Sequence, residues 1–294
     1  MNTELIKLQS TDGLELDGLM FEPHKKTDKI VIRVHGHGSN FYNSATVPTF
    51  AKTLTDNGYA MLSFNNRGTG TETYLKKDNK REVLGGSLNE IFEESIFDIE
   101  GAINFARGRG YNDITLLGYS YGCNKVTFYA INKGFTGQFI LLVPVDMARS
   151  AVAENYDALL KDARALIAEG KGDQFISGYH WGRGVSAKTF VHTHGRDTNV
   201  DLFRYRDKTI NNGVAALKNR VLIQIAGKDE YYDQPAAENL DYMKLAFANA
   251  DLTTHIIPDA NHSFTNHEQS VAQNITDWLL KKPRSGLGAG VTPA

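Results

Sequence analysis

The chain has 294 residues, a length that suits one large α/β domain with an insertion or two small domains. Hydrophobic residues make up 41%, enough to bury a full core, and charged residues make up 22%. The formal net charge is −2 and no basic block exceeds Lys25-Lys26 or Lys281-Lys282, which excludes a broad electrostatic footprint for nucleic acid or an anionic membrane.

In chain order, residues 4–9 and 14–21 read as strands on either side of Asp12-Gly13, a hairpin turn signal. Residues 29–34 (Lys-Ile-Val-Ile-Arg-Val) read as a buried strand, 46–57 as a helix and 59–64 as a strand. Over 90–107, Ile91, Phe92, Ile96, Ile99, Ile103 and Phe105 form a helical stripe. Residues 113–118 and 139–145 are two further apolar strands. Continuous apolar strands between helices predict a parallel sheet covered on both faces. The alternation breaks near residue 146. Residues 151–169 read as a helix with Leu159, Leu160, Ala163 and Leu166 on one face, followed to about residue 208 by a stretch rich in Gly, aromatics and His. A strand at 220–226, a helix near 236–248, a strand near 252–257 and a helix near 267–280 resume the rhythm. The expected organisation is an α/β core over 1–146 and 219–282, a cap insertion over 147–218, and a disordered tail over 283–294.

Gly118-Tyr119-Ser120-Tyr121-Gly122 follows one of these strands and precedes a helix, the context of a nucleophile elbow. A serine on a tight strand-to-helix turn stands above the sheet edge, at a helix N-terminus that favours developing negative charge. The flanking glycines let strand and helix approach without Cβ clashes. A serine hydroxyl needs a base to take its proton, and a histidine in the loop just beyond the last strand is the candidate. His262, in the loop beyond 252–257, fits; His255 lies inside the strand and His267 in the following helix. Asp229, in the turn after 220–226, is the candidate acid that would hold the imidazole tautomer, with Asp146 and Glu230 as rivals. The oxyanion donors are expected from the backbone N–H of His37, in the loop Val34-His35-Gly36-His37-Gly38, and of Tyr121.

With these residues the chain resembles the α/β-hydrolase superfamily over nearly its whole length. Phe64-Asn-Asn-Arg67-Gly68-Thr-Gly70 looks like that superfamily's strand-end Arg-Gly turn, with Asn65 where an aspartate is common. The stretches Ala165 to Asp173, Ser186 to Phe190 and Asp201 to Tyr205 are similar to the cap of fungal siderophore esterases and their bacterial relatives. The resemblance implies an α/β-hydrolase fold: a mostly parallel central sheet, helices on both faces and a cap insertion. It also implies ester, thioester or amide hydrolysis. It carries no particular substrate.

The expected activity is that of a serine esterase with a catalytic triad, acting through an acyl-enzyme on Ser120. A thioesterase or acyltransferase with the same triad, or a non-catalytic binding protein on the same fold, are the alternatives. A dehalogenase or epoxide hydrolase would carry Asp at the elbow. Among the insertion's aromatics, Trp181 and Phe190 are expected to bind substrate, with Phe175, Tyr179, Phe203 and Tyr205 lining an acyl pocket or gluing the cap to the sheet. His192-Thr-His194 would share one face of a strand, without a metal being expected there. No cofactor is expected. The only cysteine, Cys123, excludes an intramolecular disulfide, and the N-terminus lacks a long apolar signal core. These features point to a cytoplasmic protein whose partner is a small acyl ester, without nucleic acid or membrane.

Overall fold

A computed structural model describes residues 1–78, 81–150, 155–176, 184–196 and 198–281. Strands β1 (Asn2–Gln9) and β2 (Glu15–Glu22) form the antiparallel hairpin around Asp12-Gly13, where Gly13 takes φ +96°. Next come β3 (Lys29–Val34), α1 (Thr46–Asp56) and β4 (Ala60–Phe64). A hairpin of β5 (Thr73–Lys77) and β6 (Arg81–Gly85) then appears that the sequence pattern does not announce. Tyr74 and Leu84 on it are exposed, so no apolar alternation marks these strands.

A 3₁₀ turn (Phe92–Glu94) precedes α2 (Ser95–Gly108), which begins later than its apolar stripe. The residues ahead of it are committed elsewhere: the Glu90 amide bonds to Gly86 O, and its carboxylate is buried against Lys125 at 2.5 Å. Then follow β7 (Asp113–Tyr119), α3 (Tyr121–Lys133) and β8 (Phe139–Leu142). β8 stops short of residue 145 because Val143 turns to φ +46°, outside strand geometry. Between β8 and the next sheet strand lie α4 (Met147–Ser150), α5 (Tyr156–Ala168), β9 (Phe175–Ile176), β10 (Val185–Ser186), α6 (Ala187–His194) and α7 (Asn212–Ala215). The chain finishes with β11 (Arg220–Ala226), α8 (Ala236–Ala246), β12 (Asp251–Ile257) and α9 (Glu268–Leu280). The expected tail at 283–294 lies outside the described residues.

The main sheet has eight strands in the order β1-β2-β4-β3-β7-β8-β11-β12. The first two pairings are antiparallel, and every pairing from β4 to β12 is parallel. Side-chain alternation along the strands feeds two apolar layers. Ile30, Ile32, Val34 and Leu116 pack with Ile99, Ile103 and Val126 of α2 and α3. Val31, Met61, Leu117 and Ile140 pack with Phe50 and Leu54 of α1 and Val271 and Ile275 of α9. Each such fully buried side chain contributes about 1.5–3 kcal/mol relative to exposure. A third cluster joins Leu88 to the inserted segment through Tyr156, Leu159, Ala163, Val185 and Phe190.

His192 and His194 lie on helix α6, not on a strand. The Ser186 hydroxyl accepts the Thr189 N–H at 3.2 Å and so caps a helix start. At helical spacing i and i+2 diverge. His192 Nδ1 meets Glu93 at 2.7 Å, whereas His194 Nδ1 meets Met147 O at 3.1 Å.

Candidate active site

β7 ends at Tyr119 and α3 begins at Tyr121, so the turn between them is Ser120 itself. Its backbone has φ +55° and ψ −124°, a costly conformation for an L-residue that persists only where the surroundings over-determine it. They do so here. A Cβ on Gly118 would stand 2.6 Å from the Cys123 Cα, and one on Gly122 would stand 2.2 Å from the Val34 carbonyl oxygen. A serine at a helix N-cap ordinarily turns its hydroxyl back to a first-turn amide. Ser120 makes no such bond; its Oγ lies 2.9 Å from His262 Nε2.

His262 is delivered by the parallel register of the last two strands. Gly227 N–H bonds to Ile257 O at 2.8 Å and Lys228 N–H to Ala260 O at 2.9 Å, fastening the loop after β11 to the loop after β12. Only glycine fits at 227, since a Cβ there would stand 2.1 Å from Pro258 O. This closure brings Asp229 Oδ2 to 2.7 Å from His262 Nδ1. With Nδ1–H donating to the carboxylate, Nε2 is the ring's acceptor toward Ser120. Further contacts clamp the loop. Glu230 Oε2 accepts the His262 N–H at 2.9 Å, and the Tyr119 hydroxyl donates to the His262 carbonyl at 2.9 Å. The Tyr231 ring stands edge-on to the imidazole at 4.7 Å.

Of the three candidate acids, then, Asp229 contacts the imidazole and Glu230 holds the histidine's backbone. Asp146 is engaged elsewhere: Oδ2 accepts the Arg206 N–H at 3.3 Å, and Arg149 lies 3.6 Å from Oδ1. Burial pushes the Asp146 carboxyl up to about 6.

Ser120 and His262 open into a cavity of about 760 Å³, within the range of small-molecule sites. Gly36, His37 and Tyr121 line it, together with Val145, Met147, Tyr205, Arg206 and Tyr231. The expected oxyanion residues His37 and Tyr121 thus sit beside the serine. Their loop is latched by His35, whose Nδ1–H donates to Gly36 O at 2.8 Å while Nε2 accepts the Asn66 N–H at 3.1 Å. Burial pushes the His35 imidazole well below its ordinary range, so it stays neutral and structural. Arg67 of the Arg-Gly turn is buried against Asp98 at 2.8 Å, with Asp12 and Glu94 alongside. Cys123 is buried, its thiol pushed up by burial and bonded to the Gly118 and Leu142 carbonyls, which suits packing rather than reactivity.

The expected substrate aromatics divide. Phe190 is not among the described residues lining the cavity; it is fully buried in the third cluster against Tyr156 and His194. This corrects its assignment as a substrate contact: helix α6 turns the ring inward, toward α5. Phe203 is buried in the main core, Phe175 is exposed, and Tyr205 lines the cavity. Trp181 and Tyr179 lie outside the described residues. Tyr119, Tyr231, Met147, Arg206 and Arg33 are cavity residues that the sequence reading did not single out. For Tyr119 the signal was its place beside the serine. For Arg33 it was a charged residue inside an apolar strand.

A family model described as "Protein of unknown function (DUF1749)" matches residues 85–284. No curated protein matches the sequence. Among solved structures, the chain is similar to the alpha/beta hydrolase GrgF from Penicillium sp. sh18, with TM-score 0.68 and 15% identity over 95% of this chain and 98% of that one. It is similar to Est1E from Butyrivibrio proteoclasticus, solved with ferulic acid bound, with TM-score 0.63 and 18% identity over 93% and 97% of the two chains. It is also similar to the siderophore hydrolase EstB from Aspergillus fumigatus, with TM-score 0.59 and 13% identity over 90% and 93%. The fold is that of the α/β hydrolases, and the siderophore-esterase likeness read from the inserted segment recurs among these neighbours. Among the described residues no helix is long and apolar enough to cross a membrane.

Proposed function

The chain belongs to the DUF1749 family of proteins of unknown function, and we propose that it hydrolyses carboxylic esters through an acyl-enzyme on Ser120. The observation that carries this reading is the hydrogen-bonded chain from Ser120 Oγ through His262 to Asp229, at 2.9 and 2.7 Å, opening into a cavity of substrate size. A carboxyl esterase from Bacillus coagulans and the Pyrococcus furiosus esterase Pf2001, both similar in structure to this chain, support the same reaction class.

In this mechanism Ser120 Oγ attacks the ester carbonyl carbon while His262 Nε2 takes the hydroxyl proton. Asp229 keeps the Nδ1–H tautomer and stabilises the imidazolium. The carbonyl oxygen becomes an oxyanion between the backbone N–H groups of His37 and Tyr121. The intermediate collapses, the imidazolium protonates the departing alkoxide, and the acyl group remains on Ser120. Water then enters, gives a proton to His262 and attacks the acyl carbon. Collapse releases the acid and returns the proton to Ser120. Residues 147–218 act as the cap, contributing Met147, Tyr205 and Arg206 to the cavity wall and so shaping the choice of ester.

The test pairs a fluorophosphonate probe with a series of 4-nitrophenyl and thioester substrates. Ser120 should be labelled, and Ser120→Ala should lose about 10³-fold or more in kcat. Labelling only at another residue, or full activity in the alanine variant, would overturn the mechanism. Faster turnover of thioesters than of oxygen esters would move the substrate class.

A further inference from the structure

Arg33 interrupts the apolar run of β3, yet it is only 1% exposed. The register places it between Ser63 of β4 and Leu117 of β7. Its Nη1 reaches Ser63 Oγ at 3.3 Å and Asn40 O at 3.4 Å, both long, and the guanidinium lies 5.7 Å from the centre of the Tyr119 ring. Nε is buried with no hydrogen-bond partner among the described residues. Arg67, buried to a similar degree, is held by Asp98, Asp12 and Glu94. No carboxylate among the described residues does this for Arg33: burial pushes its pKa down to about 10, and the one opposing influence is Tyr119. A cation taken out of water without a counterion is strongly disfavoured, so a buried arginine in this condition lacks its anion.

The place where an anion would sit is open. Arg33 lines the catalytic cavity, as do Asn43, Ser44, Tyr119 and Ser263. Those neighbours are hydrogen-bonding and uncharged. The α1 helix starts at Thr46, just beyond Ser44, and carries no acidic residue in its first turn; Ser44 takes up its first amides, the carbonyl accepting the Val47 N–H at 2.9 Å and the hydroxyl the Thr46 N–H at 3.4 Å. Tyr119 connects this recess to the reacting groups, because it adjoins Ser120 in sequence and its hydroxyl holds the His262 carbonyl.

We propose that Arg33 and the polar recess beside it bind a carboxylate of the substrate, so that the preferred esters carry a free acid group besides the ester that is cleaved. This rests on the esterase reading of Ser120. The guanidinium supplies the charge, the recess supplies neutral donors, and the ester carbonyl reaches Ser120 from the same cavity.

The experiment uses two esters of equal length: the 4-nitrophenyl monoester of adipic acid, and its counterpart whose distal carboxylate is a carboxamide. The wild-type protein should show a kcat/KM ratio of acid to amide of about tenfold or more, the scale of one charge-assisted hydrogen bond. Arg33→Gln should bring the ratio close to one, and Arg33→Lys should fall between. A wild-type ratio at or below one, or a ratio unchanged in Arg33→Gln, overturns the proposal. Binding without turnover separates this from the catalytic reading. In Ser120→Ala, calorimetry should find the acid ester bound more tightly than the amide; equal or weaker binding overturns the Arg33 assignment. If that preference is found while the wild-type protein cleaves neither ester, the esterase reading fails and the anion site stands. This measurement also covers the case in which Arg33→Gln does not fold.

Discussion

Replacing Asp229 with asparagine removes a charge and almost no volume, and the geometry around it leaves the amide no good orientation. Oδ1 of Asp229 accepts the Tyr231 N–H at 3.0 Å, and Oδ2 faces His262 Nδ1 at 2.7 Å. With the asparagine oxygen kept on Tyr231, its NH2 points at Nδ1. The imidazole must then carry its proton on Nε2, where it cannot accept one from Ser120. With the amide flipped, its oxygen accepts from Nδ1–H, but the NH2 confronts the Tyr231 N–H. The Asp229 side chain has no solvent exposure, so that confrontation costs about 1–3 kcal/mol. Neither orientation supplies the negative charge that stabilises the imidazolium. The expected result is a fall in kcat of about 10³–10⁴-fold, or roughly 4–5.5 kcal/mol of lost transition-state stabilisation. Initial rates on a 4-nitrophenyl ester measure it, with thermal melting alongside to verify the fold. Asp146→Asn is the control. Asp146 is bonded to the Arg206 backbone rather than to the imidazole, so kcat should stay within about tenfold. An Asp229→Asn enzyme that keeps kcat within that margin, or an Asp146→Asn enzyme that is the more damaged, refutes the argument.

Phe190→Ala should cost about 3–5 kcal/mol in denaturant unfolding while leaving the ranking of ester chain lengths intact, because the ring is sealed in the third cluster. A changed ranking with unchanged stability would return it to the substrate. Gly122→Ala should lose about 3 kcal/mol or more, since the new methyl meets the backbone of β3 at 2.2 Å; near-native melting would mean that the elbow can relax. The hydrogen bond to Glu93 raises the His192 pKa, so that pair's contribution is complete below the unfolded value of about 6.5 and lost as pH rises through the folded one. At the acid end it is lost again as Glu93, whose pKa is lowered by His192, takes up a proton. The melting-temperature difference between wild type and His192→Gln should therefore be largest at about pH 5–6 and shrink toward about pH 8, reflecting no more than about 1 kcal/mol for a half-exposed pair. A difference that grows with pH contradicts this linkage.

Local chemistry made much of the molecule legible. The elbow is readable because its requirement spans only five residues: the glycines at 118 and 122 are demanded by backbone atoms of the adjoining helix and strand. The parallel strands are readable because burial on both faces leaves predominantly apolar runs in β3, β4, β7 and β8, interrupted in β3 by Arg33. The β5–β6 hairpin left no such trace, since neither face of it is fully buried. The helix carrying His192 and His194 has no such signature, because its cap, Ser186, follows a segment with no clear period.

The amino-acid sequence by itself determined the α/β architecture, the serine turn and the order in which candidate acid and base follow it. Those properties depend on residues near one another in the chain. Only the tertiary structure decided which aspartate meets His262, because that depends on two loops fastened together after strands whose register is set by the whole sheet. It likewise decided that Phe190 faces a core and not the cavity, since a helix's buried side is defined by what packs against it. And it decided that Arg33, visible in the sequence as a charge inside an apolar strand, has no carboxylate partner among the described residues. A counterion is a matter of neighbours in space, and the groups flanking Arg33 are neutral.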